Sequence, residues 1–205
     1  MNIFAMFLVR WGHIHFLLLW VSTCFAQPAL DLEKITIAQG LSQGFVSAIC
    51  QDREGFLWFG TNNGLNRYDG YEFTVFRHDP YEPYSISHNE VKCIAEAGEF
   101  LYIATATGLD KYDKHSRRFY HLPVPDNPAN LSPQKLLSDG RQTLWLLHTV
   151  SGRNVLHRMT IPAPSIHTDG KPADATPAVS VPLDGDCTDI SLSADGQTLW
   201  ILQHD

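Results

Sequence analysis

The chain is 205 residues long, 44% apolar and 18% charged, with a formal net charge of −7. That apolar share excludes disorder as the default, and an acidic balance without a basic stripe excludes nucleic acid as a partner of this segment. Its 14 Gly and 12 Pro are scattered as punctuation, and 11% aromatic residues suit a β-rich core.

Met1 to Ala26 reads as a signal peptide, set apart from the fold. Arg10 is its only formal charge after the N-terminus, Ile14 to Val21 is a short apolar core, and Cys24-Phe25-Ala26 puts small residues at −3 and −1 of a cut before Gln27. An uncleaved anchor is the alternative, but Arg10, His13 and His15 interrupt the run below the ~20 apolar residues a span wants. A lipoprotein would need Cys24 acylated, and Val21-Ser22-Thr23 is a poor approach to it. Export to the periplasmic side of a membrane is expected. Residues 27–45 then form a linker, within which Leu32-Glu33-Lys34-Ile35-Thr36-Ile37 alternates like an edge strand.

Val46 to Gln51 is the first strong strand, closed by the turn Asp52-Arg53-Glu54-Gly55. Leu57-Trp58-Phe59-Gly60-Thr61 follows, then a turn at Asn62-Asn63-Gly64, whose residues tolerate positive φ. The next run is Leu65 to Tyr68, a hairpin signal stands at Asp69-Gly70, and Tyr71 to Phe76 completes four strands of an antiparallel meander. The unit then recurs. Val91 to Ala95, Phe100 to Thr105, Gly108 to Asp113 and Arg118 to His121 repeat its order. A third, degenerate copy has Leu144-Trp145-Leu146-Leu147 and Val155 to Met159, with a loop expected over Ile161 to Ala178 before the outer strand Val179-Ser180-Val181. A fourth begins near Cys187 to Leu192, turns at Asp195-Gly196 and reaches Leu199 to Leu202.

Two markers fix the period. Leu41-Ser42, Ile86-Ser87 and Leu131-Ser132 are each 45 residues apart, and each precedes by four residues an expected strand start at Val46, Val91 or Leu136. Trp58, Tyr102, Trp145 and Trp200 recur in steps of 44, 43 and 55. Four-stranded meanders at this period, with strands apolar on both faces, predict an all-β fold, a β-propeller. Residues 46–205 are assigned to its blades, about 46–85, 91–130, 136–182 and 187–205, the last incomplete. The strand within 32–37 is expected to close the ring as the outer strand of its last blade. So open an arc, expressed alone, is expected to be unstable or to aggregate.

Val46 to Asp52, Gly55, Leu57 to Thr61 (LWFGT), Gly64 to Asp69 (GLNRYD) and the aromatic strand after them resemble the two-component regulator propeller repeat, well from Ile35 to about Pro123 and loosely beyond. Arg77-His78-Asp79-Pro80 and Ser85 to Asn89 are similar to that family's inter-blade linker. The resemblance implies the N-terminal periplasmic sensor segment of a Bacteroidetes-type hybrid histidine kinase responding to a glycan or other extracellular nutrient. It further implies self-association through the propeller, and a membrane tether and kinase in later parts. Alternatives are an exported propeller enzyme acting on polysaccharide, or an interaction scaffold or a propeller fused to another signalling output.

No residue is expected to be catalytic, cofactor-binding or metal-ligating. Asp52, Asp69, Asp110, Asp113, Asp139 and Asp195 read as turn caps. The ten histidines are dispersed, with no His-Glu-x-x-His, Cys-x-x-Cys or Gly-x-Ser-x-Gly motif. Cys50 and Cys93 fall at matching places in successive repeats and, with Cys187, read as small core residues ahead of a disulfide or reactive thiol. The recurring aromatics read as inter-blade packing ahead of a sugar platform. Ligand candidates are Asn62, Asn63, Arg67 and the linker from His78 to His88 at one mouth, none singled out.

Overall fold

A computed structural model describes residues 34–124, 132–161, 176–183 and 186–204. All but Lys34 belong to the compact unit Ile35–Asp205. The leader lies outside the described residues, as do Leu32 and Glu33 of the expected edge strand. The rest of that strand is absent: Ile37–Gln39 is a 3-10 turn. The Thr36 side chain accepts from the Ala38 amide while Gln39 reaches back to the Thr36 amide, and Gly40 ends the turn at φ 108°. This capping box satisfies the backbone locally, where alternation alone predicted a strand in need of a neighbour.

From Val46 onward the described chain is β-structure. Sheet one holds β1 (Val46–Gln51), β2 (Leu57–Thr61), β3 (Gly64–Tyr68) and β4 (Phe73–Phe76), paired in sequence order. Sheet two holds β5 (Val91–Ala97), β6 (Phe100–Thr105), β7 (Leu109–Asp113) and β8 (Arg118–Leu122) in the same order. Sheet three holds β9 (Ser132–Ser138), β10 (Thr143–Val150), β11 (Arg153–Thr160) and β12 (Thr176–Pro182), and β13 (Asp186–Leu192) pairs with β14 (Leu199–His204). All pairings are antiparallel. Many strand ends shift by one to three residues from expectation, and two starts shift further. β9 begins at Ser132 rather than Leu136, and β12 begins at Thr176, inside the expected loop, because each extension keeps pairing with β10 or β11.

The register shows what makes the four units equivalent. Trp58 pairs with Cys50, Tyr102 with Ala95, Trp145 with Leu137 and Trp200 with Ser191, so the aromatics occupy one register position. Each first strand also carries one extra residue: Ser47, Lys92, Gln134 and Thr188. Such bulges twist the strand and re-aim its side chains. By this register Cys50 is equivalent to Ala95, whereas Cys93 is equivalent to Ala48. The two thiols are therefore offset by two residues on one face, not matched as expected. Cys93 and Cys187 are buried and Cys50 half-buried. Burial pushes the Cys93 thiol up to about 11, which suppresses the nucleophilic thiolate.

The sheets stack face to face. Ala48, Cys50, Trp58, Leu65 and Phe76 of sheet one meet Ile94, Leu101, Ile103, Tyr112 and Phe119 of sheet two. The opposite face of sheet two, with Ala95, Tyr102 and Leu109, packs on Leu136, Leu144 and Met159 of sheet three. Leu147, Leu156 and Trp145 then meet Cys187, Ile190 and Leu199. Sheet two is sandwiched on both faces, which explains why β6 reads as an apolar run. Each aromatic faces the following sheet, so Trp58 is 1% exposed and Tyr102 fully buried. Trp200 departs from the packing reading: it is 65% exposed, since no sheet covers that face among the described residues. The first strands β1, β5, β9 and β13 neighbour one another in turn, the arrangement of blades around an axis.

Candidate functional site

Each blade has two ends. One carries the turn between its first two strands; the other carries the β2–β3 type of turn and the linker to the next blade. The sequence candidates divide between them. Asn62 and Asn63 form the exposed β2–β3 turn, where the Asn62 amide donates to Gln43 Oε1 (3.0 Å) and Asn63 Nδ2 to the Ser42 carbonyl (3.1 Å). Gly64 sits at φ 111° because its amide must reach the Asn89 carbonyl (2.8 Å), which docks the linker on this turn. The linker holds itself through His78, whose amide donates to Asn89 Oδ1 (2.8 Å) and whose Nδ1 donates to the Ile86 carbonyl (2.9 Å). Its far end is tied by the Ala106 amide to the Glu90 carbonyl (3.0 Å).

Arg67 is not part of this group. It pairs with Trp58 at the far end of the hairpin and lies over the Phe56 ring at 4.7 Å. Its counterparts do likewise: Lys111, paired with Tyr102, lies over Phe100, and Arg158 over its partner Trp145. A cation stacked on an aromatic at one repeat position is a packing device.

The bulges, which sequence reasoning missed, lie at the linker end of each first strand. Ser47 Oγ lies 3.0 Å from the Gly60 carbonyl and 2.6 Å from the Val91 carbonyl, sharing its proton across the blade seam. Lys92 is ion-paired with Glu90, and Gln134 Nε2 donates to Thr149 Oγ1 (2.9 Å). No sequence signal marks a bulge, because the extra residue is of ordinary type.

Blades one to three each hold a polar node, also missed. In blade one the Ser42 amide donates to Asn66 Oδ1 (2.8 Å) and Ser42 Oγ lies 2.9 Å from Thr61 Oγ1. In blade two the Ser87 amide and hydroxyl donate to Asp110 Oδ2 (2.9 and 2.8 Å), Ser87 Oγ lies 2.8 Å from Thr105 Oγ1, and His121 Nδ1 donates to Asp110 Oδ1 (2.6 Å). In blade three His148 and His157 replace the Thr and the Asn or Asp, with Nε2 atoms 2.6 Å apart and His157 Nδ1 2.8 Å from Ser180 Oγ. Linker Ser42 and Ser87 thus fasten each linker to the blade it enters. Ser132, third in the serine series, instead begins β9 opposite Thr149.

Asp110 therefore corrects the turn-cap reading: it is wholly buried within β7. The other five aspartates are caps, accepting amides two to four residues ahead. Asp52 also receives Trp58 Nε1 (2.8 Å), locking the recurring aromatic to its turn. Ser87, Asp110 and His121 do not form a nucleophile relay, which needs the imidazole between hydroxyl and carboxylate; here the carboxylate is in the middle. At the opposite end Lys114 gathers Glu96 (2.7 Å), Glu54 (3.6 Å) and Asp52 (3.9 Å), joining blades one and two. Burial pulls that ammonium down, but the three carboxylates more than offset it and leave its pKa raised.

Residues 40–63, which span the Ser42–Thr61 contact and the bulge, match the family described as Two component regulator propeller. Over those residues the chain is similar to a two-component regulator propeller repeat. Histidine kinase P4 of Formosa agariphila is 46% identical over 55 residues, 27% of this chain and 4% of that protein. A solved extracellular domain assigned to the hybrid two component system BT4673 of B. thetaiotaomicron superposes with a TM-score of 0.57 at 25% identity, covering 85% of this chain and 25% of that one. That of BT3049, from the same organism, gives 0.55 at 23% identity, covering 84% and 26%, and shows the fold alone. The chain thus spans about a quarter of these solved domains and a small fraction of the kinase. Among the described residues no helix is long and apolar enough to cross a membrane.

Proposed function

We propose that this chain is the front part of an exported ligand-sensing β-propeller, the periplasmic segment of a hybrid two-component histidine kinase. The observation that carries the reading is its likeness over 85% of its length to an extracellular domain of a hybrid two component system. The repeat match at residues 40–63 supports it. The segment itself is non-catalytic, and the membrane tether and the kinase belong to other parts of the protein. The ligand is a glycan or other extracellular nutrient, and the surface that would read it is the linker end, where Asn62 and Asn63 stand exposed on the β2–β3 turn. Signalling requires that the ligand favour one of two arrangements of the propeller, for instance one self-associated state over another.

The test is calorimetric titration of the complete ectodomain with a glycan panel, with sedimentation analysis before and after. Binding that weakens severalfold in Asn62→Ala/Asn63→Ala but not in Arg67→Ala, with a changed association state, is expected. An ectodomain that binds nothing in the panel and keeps one association state overturns the reading.

A further inference from the structure

Blades one and two solve the same problem with different chemistry. In blade one the buried acceptor for the linker serine is the neutral Asn66, and the outer-strand residue paired with it is Val75. In blade two the acceptor is the carboxylate Asp110, and the paired outer-strand residue is His121. A fully buried carboxylate needs a compensating cation or dense hydrogen bonding. Asp110 has both: two bonds from Ser87 on Oδ2 and the imidazole on Oδ1. The imidazole is half-exposed at the edge of the sheet, so its proton exchanges with solvent while the carboxylate beneath does not.

We propose that the Asp110–His121 pair is a pH-sensitive latch that fastens the linker between blades one and two to blade two through Ser87. When His121 carries its second proton, the buried charge is neutralised by an ion pair and Asp110 holds the Ser87 amide and hydroxyl. When His121 is neutral, Asp110 keeps its hydrogen bond but loses its counter-charge, and the linker attachment weakens. The hydrogen bond to Asp110, opposed by burial and aided by the carboxylate's charge, holds the imidazole above its ordinary range. The latch contribution is thus complete below about pH 6.5 and is lost as pH rises through the raised folded value. Asp110 is the charge that acts on the ring. On the same strand, Arg118 is engaged over Tyr84; from the elements beside it, Lys111 on β7 lies over Phe100 and Tyr120, and His88 in the linker accepts the Glu90 amide. The inference does not depend on a ligand or on the sensor reading.

The experiment compares the complete ectodomain with its His121→Val, Asp110→Asn and double Asp110→Asn/His121→Val variants, the last of which transplants the blade-one solution. Thermal midpoints and hydrogen exchange of the Ser87 amide, corrected for intrinsic rate, are followed between about pH 5.5 and pH 9. Wild type is expected to lose severalfold of its Ser87 protection across the His121 titration. His121→Val should be the least stable variant, and the double variant should regain stability with protection independent of pH. Ser87 protection that is flat with pH in wild type overturns the latch. So does a double variant that titrates like wild type, or one no more stable than His121→Val alone.

Discussion

Gly60, the fourth residue of LWFGT, should resist even the smallest substitution, and for a reason that lies in the next blade. Its φ is not in the left-handed region, so Ala meets no backbone penalty there. A Cβ at this position would stand 2.7 Å from Val91 Cγ1, 3.1 Å from Ser47 Oγ and 3.3 Å from Val91 Cβ. Val91 is fully buried in the blade-one to blade-two core and has no room to retreat. Ser47 is held between the Gly60 and Val91 carbonyls. Overpacking of this kind costs about 1–3 kcal/mol, opposed by the ~0.4–1 kcal/mol that Gly→Ala gains from a less flexible unfolded chain. A net loss of about 1–2 kcal/mol is expected, read as a lowered urea midpoint. Val91→Ala alone should cost about 2 kcal/mol through lost burial and a small cavity. In the double variant the new methyl fills the space vacated, so the combined loss should fall short of the sum by about 1 kcal/mol. The assay is urea unfolding of the complete ectodomain in a double-mutant cycle. Additivity within about 0.5 kcal/mol would show that the two positions do not meet, and the seam argument would fail.

Gly64→Ala should be worse than Gly60→Ala, because it combines a φ of 111° with a Cβ 2.5 Å from the Phe76 carbonyl; a lower thermal midpoint than Gly60→Ala checks this. Asp52→Ala removes the acceptor for Trp58 Nε1 and for the Glu54 and Phe56 amides and should cost about 2–4 kcal/mol in urea unfolding. Asp139 answers to pH: burial pushes its carboxyl up, but the Thr143, Arg141 and Gln142 amides more than offset this and leave it lowered. Its stabilisation is therefore present above the unfolded value near 3.9 and is lost as pH falls through the folded one. Asp139→Ala should flatten the acid limb of the stability curve, and an unchanged limb would contradict the assignment. Lys114→Met should destabilise the blade-one to blade-two joint, leaving Asp52 and Glu96 without their shared cation. Exchange of amides in the 52–56 turn should rise relative to those in sheet three.

What could be read from the sequence and what could not follow from how each feature is specified. Trp58, Tyr102 and Trp145 were legible because a large aromatic beside a neighbouring sheet has few substitutes, so the residue type itself marks the register; Trp200 keeps the register position without a covering sheet among the described residues. The turn aspartates were legible because an amide cap needs an acceptor within a few residues, a local demand. Alternation over Leu32 to Ile37 says which side chains would share a face, whereas whether a strand forms depends on a partner for its backbone. Thr36 and Gln39 offered a nearer one. β9 and β12 ran longer than their apolar cores for the converse reason, since pairing with β10 and β11 extends through Ser132, Pro133 and Thr176 regardless of hydropathy.

The polar nodes escaped for a different reason. The space beneath the linker demands satisfied hydrogen bonds, not a residue type, and at least three chemistries meet that demand: Thr61 with Asn66, Thr105 with Asp110 and His121, and His148 with His157. A position that tolerates neutral amide, carboxylate or imidazole leaves no motif to find. The choice is nevertheless coupled across strands, because the outer-strand partner changes with it, from Val75 to His121 to Ser180. Val75 suffices beside a neutral Asn66, a carboxylate calls for a cation, and an imidazole is met by a hydroxyl. The coupling predicts which exchanges are tolerated. Asn66→Asp alone would bury a charge beside Val75 and should lower the midpoint, whereas Asn66→Asp with Val75→His rebuilds the blade-two node and should restore it. Equal midpoints for the single and double variants would mean that the outer strand does not set the identity of the buried acceptor.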